Sequence, residues 1–280
     1  MKNYTKQTIN PEELKKLTQE AQSQATPSTG RIVWKEFKAD RPALLALILV
    51  VAFIIFVTIA SFFINVPQMM NTHIMSYLNR PLQDGYLLGA DTAGRSIMQQ
   101  LIVGSRNSIG IAIGLTLISS TWGIAWGLIS GYFGGFVDWW MQRVYDFMMM
   151  LPMTMMIIVL VTIIHNYNAV TLTLIFSCFY WLGTSRLIRS RTLAETKKDY
   201  VAASITSGTG PSKIIFGRIM PNIPSLIVVD TTLSFADNIG VETGLPSLVF
   251  GLPTKTPSLW LLLANANDPT HITQYLLPWL

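Results

Sequence analysis

Residues 43–64 contain no charged side chain, and this stretch restricts the possible folds more than any other feature of the sequence. As an α-helix it would be about 33 Å long, which is enough to cross a hydrocarbon core of roughly 30 Å. A cleaved signal peptide is disfavoured, because a long polar leader precedes the stretch and no small-residue cleavage pattern follows it. The sequence therefore predicts a retained first transmembrane helix.

The whole chain is too poor in charge for a soluble protein. Only 12% of its 280 residues are charged and 50% are hydrophobic, whereas soluble domains carry about 25% charged residues. This composition excludes a disordered chain and a collagen-like fibre. Cys178 is the only cysteine, so a disulfide scaffold is excluded as well; we expect this thiol to be an inert core residue.

Further apolar segments predict a bundle of spans. They lie near residues 108–130, 147–165, 169–188 and 222–241, and a last one begins at about residue 275. Because helices satisfy their own backbone hydrogen bonds in lipid and these segments are too long for barrel strands, we predict an all-α integral membrane protein. The last span is incomplete, and since a half-span would leave carbonyl groups unsatisfied in lipid, we expect a truncated sequence.

The basic residues predict the orientation of the chain. With the N-terminus inside, 16 of the 20 Lys and Arg residues fall on the cytoplasmic side, as the positive-inside rule requires. This distribution accounts for the sequence pI of about 9.3 without any nucleic acid as partner. We therefore predict a multi-pass protein of the cell membrane with a cytoplasmic N-terminus.

The sequence contains no signature of an enzyme. Residues 208–213 resemble a phosphate-binding loop, but the G-x-x-x-x-G-K-[ST] spacing is absent. His73, His165 and His271 are scattered and lack the spacing of metal ligands. We expect this chain to hydrolyse no ATP and to bind no metal or cofactor.

The connection between the fourth and fifth spans predicts a helix–turn–helix. Residues 198–204 form a first short helix with Asp199 near its start, and Gly208 ends it. A second helix from Ser212 to Ile219 follows Pro211. The pattern is consistent with a solvated amphipathic loop, but it favours a docking element for a cytoplasmic partner.

This connection resembles the coupling loop of ABC importer permeases. The family pattern is E-A-A-x-x-x-G, followed thirteen residues later by the proline of L-P; Gly208 and Pro221 fit this spacing. Ala202, Ala203 and Ser204 occupy the E-A-A place, so the glutamate of the motif is missing here.

Four further segments are similar to the dipeptide/oligopeptide branch of that family, in its C-type subunits. They are L-G-A-D-T-A-G-R at 88–95, G-S-R-N-S at 104–108, G-Y-F-G-G-F-V-D at 131–138 with Arg143, Asp146 and Pro152, and Glu242 with Leu245, Phe250 and Gly251. Together with the coupling loop they span roughly residues 31–280 in unbroken order. The chain is thus identified as similar to the permeases of binding-protein-dependent peptide transport.

The resemblance implies a six-span, type I ABC importer permease with a cytoplasmic coupling helix–turn–helix. Its implied partners are a second permease, two cytoplasmic ABC ATPases that use ATP and Mg, and an extracellular peptide-binding lipoprotein. We divide the chain into a leader (1–30), an N-terminal region (31–97) and a permease core (98–280) with the coupling loop at 197–221. The implied ATPase-coupling residues are Tyr200, Ala202, Ala203, Ser204, Gly208, Pro211 and Pro221.

Carboxylates in the fifth span are candidates for the translocation pathway. Asp230 and Asp237 are seven residues apart, share one helix face, and precede Glu242. Carboxylates at membrane depth cost a few kcal/mol unless they face protein or water. Two interpretations follow. The carboxylates line the pathway, where they meet a peptide amino terminus, or they lie in a packing interface with the partner permease.

Other conspicuous residues have simpler interpretations. The methionines at 148–150, 153, 155 and 156 predict core packing rather than a soft metal site. Trp139 and Trp140 are predicted to anchor the chain at the membrane interface. Arg186, Arg189 and Arg191 are expected to hold orientation and lipid head groups, with a direct ATPase contact as the alternative.

Three functions compete. The favoured one is the permease subunit of an ATP-driven peptide importer, with nickel or glutathione as alternative cargo of the same branch. The second is an autonomous secondary carrier or channel, which often shows inverted repeats. The third is a membrane scaffold without transport. The patterned coupling loop argues against the scaffold, and no convincing internal repeat supports the carrier.

Overall fold

The computed structural model describes residues 37–73, 76, 79–83, 85–164, 168–244, 257–259 and 262–263. The chain divides into two compact units, Met1–Leu49 and Val50–Leu280. Every contact discussed below lies within the second unit. The predicted leader and the start of the last span lie outside the described residues.

All regular secondary structure in the described ranges is helical. Two isolated β-bridges, Gln83–Tyr86 and Ala90–Ser96, join parts of the loop that precedes the longest helix. The helices are α1 (Arg41–Phe62), α2 (Val66–Met69), α3 (Ile97–Phe133), α4 (Gly135–Met150), α5 (Met153–Ile163), α6 (Ala169–Tyr180), α7 (Leu182–Glu195), α8 (Asp199–Thr206), α9 (Pro211–Ile214) and α10 (Pro224–Gly244). The coarse prediction of a helical protein is confirmed.

Two described helices, α1 and α3, are each long and apolar enough to cross a membrane. Two bent pairs meet the same criterion if each pair is one span, which raises the total to as many as four. One pair is α4 with α5, bent by 80°, and the other is Pro211–Asn222 with Pro224–Val241, bent by 74°.

The helix bounds correct the predicted second and third spans. Helix α3 has 37 residues and begins at Ile97, well before the predicted start at 108, because Ser96 caps it with its hydroxyl oxygen. The predicted third span, 147–165, begins inside α4. Pro152 separates α4 from α5, since a residue before proline avoids the helical region and Leu151 is extended (ψ 130°).

Three glycines bring α3 and α7 into backbone contact. Gly123, Gly127 and Gly131 are four residues apart, so they share one face of α3. A Cβ atom on Gly127 would lie 2.6 Å from the carbonyl oxygen of Ser185, and one on Gly131 would lie 2.6 Å from Cβ of Thr192. Only glycine fits at this separation, which is typical of close helix packing in membranes. We call these three residues the glycine seam.

An apolar core joins α3, α5 and α6 and corrects two predictions. It contains Leu115, Ile157 and Phe176. Of the predicted core methionines, 148, 153 and 156 pack against it, whereas 149, 150 and 155 are exposed on this chain. Cys178 is also exposed, in a surface groove that it lines with Leu117 and Trp122 of α3, so its prediction as a core residue is wrong.

Candidate functional site

The connection from α7 to α10 forms two helices joined by a tight turn. Helix α8 has Asp199 in its first turn, where the negative carboxylate interacts favourably with the positive end of the helix dipole. Gly208 then has φ +73°, a conformation that costs glycine little, and Pro211 opens α9. The predicted second helix is irregular, because residues Ile215–Ile219 are π-helical and Met220–Asn222 form a 3-10 turn.

Aliphatic side chains fix this connection to the bundle. Val201 of α8 is buried, and so are four isoleucines of the second arm. They pack in one cluster with Leu128 of α3 and Ile188 of α7. The isoleucines are Ile214, Ile215, Ile219 and Ile223. Fully burying side chains of this size contributes about 1.5–3 kcal/mol each, so the connection packs as part of the bundle.

The opposite face of the connection is open. Ala202, Ala203, Gly208, Pro211 and Pro221 are exposed, whereas Tyr200 and Ser204 are half-buried. Two large apolar side chains are also exposed, Ile205 at 55% and Phe216 at 52%. We define the open face as the exposed residues alone, which are Ala202, Ala203, Ile205, Gly208, Pro211, Phe216 and Pro221.

A buried carboxylate that sequence reasoning missed lies beneath this connection. Glu195, in the last turn of α7, has only 1% of its surface exposed. Its carboxylate accepts hydrogen bonds from Lys198 Nζ at 2.8 Å and Tyr200 Oη at 3.0 Å. Arg191 Nη2 lies 3.5 Å away. Glu195 thus joins the start of α8 to α7. The sequence offers one signal for it, an acidic residue within a segment of basic residues that runs from Arg186 to Lys198.

The surroundings of Glu195 shift two pKa values in opposite directions. Burial would raise the pKa of Glu195, but the hydrogen bonds from Lys198 and Tyr200 and the charges of Lys198 and Arg191 outweigh it, and the net pKa lies below its ordinary value. Burial and the neighbouring carboxylate of Glu195 raise the pKa of Tyr200, although Asn222 opposes the shift. A charged Glu195 and a neutral Tyr200 are therefore the favoured pair.

A second ion pair joins α4 to α7. The Asp138 carboxylate accepts two bonds from the Arg189 guanidinium, each 2.6 Å long, and it also accepts a bond from the Ser130 hydroxyl. Bidentate hydrogen bonds between charged groups are stronger than hydrogen bonds between neutral groups. The assignment of Arg189 to lipid head groups is therefore wrong, because its guanidinium is engaged within the bundle; Arg186 remains exposed.

The polar residues of α10 fall into different environments. Asp230 accepts a 2.7 Å hydrogen bond from Thr184 of α7. Asn238, which sequence reasoning passed over, is 2% exposed and donates to Thr116 of α3 at 2.8 Å. Asp237 is exposed, so it does not share the packing of its neighbours.

The structure therefore does not bring the three predicted pathway carboxylates into one described cluster. Glu242 lies in the last turn of α10, but its side chain falls outside the described part of the chain. Among the described residues, no group of three or more His, Cys, Asp and Glu side chains could hold a metal ion.

The long apolar helices and the docked helix–turn–helix define a helical membrane protein. The sequence family described as the binding-protein-dependent transport system inner membrane component matches residues 123–277. A second family, the N-terminal transmembrane domain of oligopeptide transport permease C, matches residues 28–81. The chain belongs to the family of binding-protein-dependent transport system inner membrane components.

Individual relatives agree with this assignment. The chain is 45% identical over 245 residues to the oligopeptide transport system permease protein OppC of Lactococcus lactis subsp. lactis, covering 88% of this chain and 83% of the relative. It is 29% identical over 251 residues to OppC of Bacillus subtilis, covering 88% and 80%. It is 26% identical over 277 residues to the dipeptide permease DppC of Lactococcus lactis subsp. cremoris, covering 86% and 80%.

These comparisons confirm the resemblance drawn from the motifs. As the membrane component of a transport system, the chain is not itself an enzyme.

Proposed function

We propose that this chain is the permease subunit of an ATP-driven importer of peptides. It forms half of the translocation pathway and transmits the movement of cytoplasmic ATPases to that pathway. The observation that carries the proposal is the helix–turn–helix between α7 and α10, which is anchored by buried aliphatic side chains and leaves one face open. The names of the relatives, which are oligopeptide and dipeptide permeases, support peptides as the cargo.

The proposed assembly contains a second permease, two ABC ATPases that consume ATP and Mg, and an extracellular peptide-binding lipoprotein. The family description, which specifies dependence on a binding protein, supports the last of these. The finer architecture is a six-span, type I bundle with a cytoplasmic N-terminus. On that topology the helix–turn–helix is cytoplasmic and the loop between α1 and α3 is extracellular.

The open face is the proposed ATPase contact. Its small alanines and the apolar Ile205 and Phe216 let another protein approach closely and bury apolar surface. No charge is present at the place of the missing glutamate, Ala202, so docking there relies on shape and apolar contact. The buried cluster beneath makes α8 and the bundle move together when the ATPases close.

The pathway role is proposed chiefly for Asp237. It is exposed on the chain while its neighbour Asn238 is buried, and an exposed carboxylate on a membrane helix must face water or protein. Asp230 has a bonding partner in Thr184, so its role is better described as joining α7 to α10.

The turn at Gly208 provides the sharpest test of coupling. Both Gly208 and Gly210 have open space where a Cβ would be added, but only Gly208 has a positive φ. Gly208→Val therefore strains the turn by about 1–2 kcal/mol, whereas Gly210→Val, in extended backbone before a proline, is tolerated. We expect Gly208→Val to lose peptide uptake while ATP hydrolysis continues. Normal uptake by this variant would contradict the coupling role.

Co-purification tests the assembly. We expect the tagged chain, extracted in detergent, to carry along a second permease, two ATPases and a peptide-binding lipoprotein. Recovery of the chain alone, still able to move solute in liposomes, would overturn the importer in favour of an autonomous carrier.

A further inference from the structure

A polar cavity lies between the end of α1 and the start of α3. It encloses about 400 Å³, a size within the usual range for small-molecule sites. Its lining includes three apolar side chains, Phe63, Ile64 and Met69, together with side-chain amides and Arg95. None of the described residues that line it is acidic.

One guanidinium nitrogen of Arg95 has no hydrogen-bond partner. This atom, Nε, is buried, and no ion pair joins the guanidinium to any described residue. Leaving a charged donor unpaired costs more than leaving a neutral one. A site of this kind is suited to a group that brings negative charge and planar oxygen acceptors, because a guanidinium binds carboxylates through two parallel bonds.

The loop that carries Arg95 is built rigidly. Asp91 is buried, and its Oδ1 accepts bonds from the backbone N–H groups of Ala93 at 2.9 Å and Arg95 at 2.8 Å. Its Oδ2 accepts from Gln100 Nε2 at 2.9 Å. Gly94 has φ +72°, and a Cβ there would lie 1.9 Å from the carbonyl oxygen of His73. The motif at 88–95 therefore fixes the backbone from which Arg95 extends.

We propose that this cavity binds the C-terminal carboxylate and last side chain of a peptide. Arg95 pairs with the carboxylate, the amides of Gln68 and Gln99 face the peptide backbone, and the lining at Phe63 and Met69 accepts an apolar side chain. The positive end of α3 favours the same charge. A single acidic side chain of a docking protein would leave most of the volume empty. The inference rests on the proposed function, because it assumes peptide cargo reaching this loop from outside.

The test compares two forms of one cargo in the assembled importer. A pool of synthetic peptides of two to eight residues is prepared as free acids and as C-terminal amides. Uptake of each is measured in proteoliposomes with the same binding protein and ATPases. We expect Arg95→Gln to lower the initial uptake rate of free acids about 10-fold or more and to leave that of the amides unchanged.

Two further variants secure the comparison. Arg80 is exposed in the same loop and does not line the cavity, so Arg80→Gln should change neither rate. Gln99→Glu adds a repelling charge at an exposed position in the first turn of α3, where an acidic residue favours the helix. It should reproduce the selective loss of free-acid uptake without any risk to folding from removing Arg95.

The outcomes separate the inference from the proposed function. Equal loss of both peptide forms in Arg95→Gln and Gln99→Glu would overturn the inference and assign the cavity to docking of another protein. No loss in either variant would also overturn it. Failure of the unaltered importer to take up either form would instead overturn the peptide-import function itself.

Discussion

Replacing Gly127 by alanine would test the contact between α3 and α7. The added Cβ would lie 2.6 Å from the Ser185 carbonyl oxygen and 2.8 Å from both the Arg189 nitrogen and Ile188 Cβ. Ordinary van der Waals contact begins at 3.4 Å, so the shortest of these distances, 2.6 Å, is about 0.8 Å too short. Two of the three atoms belong to the α7 backbone, so the helices themselves must separate.

The expected cost follows from two opposing effects. Overpacking of this kind destabilises a protein by about 1–3 kcal/mol, while exchange of glycine for alanine in a helix favours the helix by about 1 kcal/mol. Gly110→Ala is the matched control, because Gly110 lies in the same helix and has no atom within 4 Å of the added Cβ. The free energy of unfolding of Gly127→Ala should therefore fall about 1–3 kcal/mol below that of Gly110→Ala.

The assay is thermal unfolding of the detergent-purified chain, followed by the fraction that remains monodisperse after heating. A difference of this size changes the ratio of folded to unfolded protein about 5- to 150-fold. If Gly127→Ala proved as stable as Gly110→Ala, the two backbones could not be in contact at the glycine seam, and the reasoning would fail.

Four further predictions concern charged groups. Glu195→Gln should weaken the packing of α8 against α7 by on the order of 1–2 kcal/mol. This is less than the cost of breaking a fully buried ion pair, because Lys198 and Arg191 are half exposed. The same variant should raise the number of ATP molecules hydrolysed per peptide imported. In the unaltered protein, the stabilisation from Glu195 is present above its ordinary pKa of 4.5 and is lost as the pH falls through the lower pKa of the folded state. Limited proteolysis across pH 3–7 should therefore detect the release of α8 at the acidic end. Unchanged protection of α8 across that range would contradict this role of Glu195. Arg189→Met should lower the free energy of unfolding by about 3 kcal/mol, since it removes the cation that pairs with Asp138 and leaves only the Ser130 hydroxyl. Arg186→Met, at an exposed position, is the control, and equal thermal stability of the two variants would contradict the bidentate pair. Asp237→Asn should slow peptide uptake without changing assembly, and undiminished uptake would remove Asp237 from the pathway.

The sequence predicts the helical class and the turn at Gly208 well because both depend on local signals. A charge-free run as long as residues 43–64 can cross a bilayer by itself, and Gly208 followed by Pro211 favours a turn. The φ of +73° at Gly208 is of this kind.

Most of the buried polar contacts could not be predicted because they join distant parts of the chain, and the local one at Glu195 is distinguished only by its burial. Glu195 differs from an ordinary surface acid only through its burial, and Arg189 differs from Arg186 only because Asp138 lies opposite it across 51 positions of sequence. Asn238 needs Thr116, which is 122 positions away. The break in the predicted third span could not be predicted either, because Pro152 marks a possible helix end but does not specify the angle of 80° between α4 and α5.

The length of α3 has a mechanical consequence. At 1.5 Å per residue its 37 residues extend about 55 Å, beyond the full thickness of a bilayer. One end starts beside the Arg95 cavity, and near the other end Leu128 belongs to the cluster that anchors α8. Between these ends α3 is one continuous helix, and α7 packs closely against it along the glycine seam. On the proposed topology, we expect a displacement of α8 at one surface of the membrane to be carried along α3 to the other surface, with no loop between them.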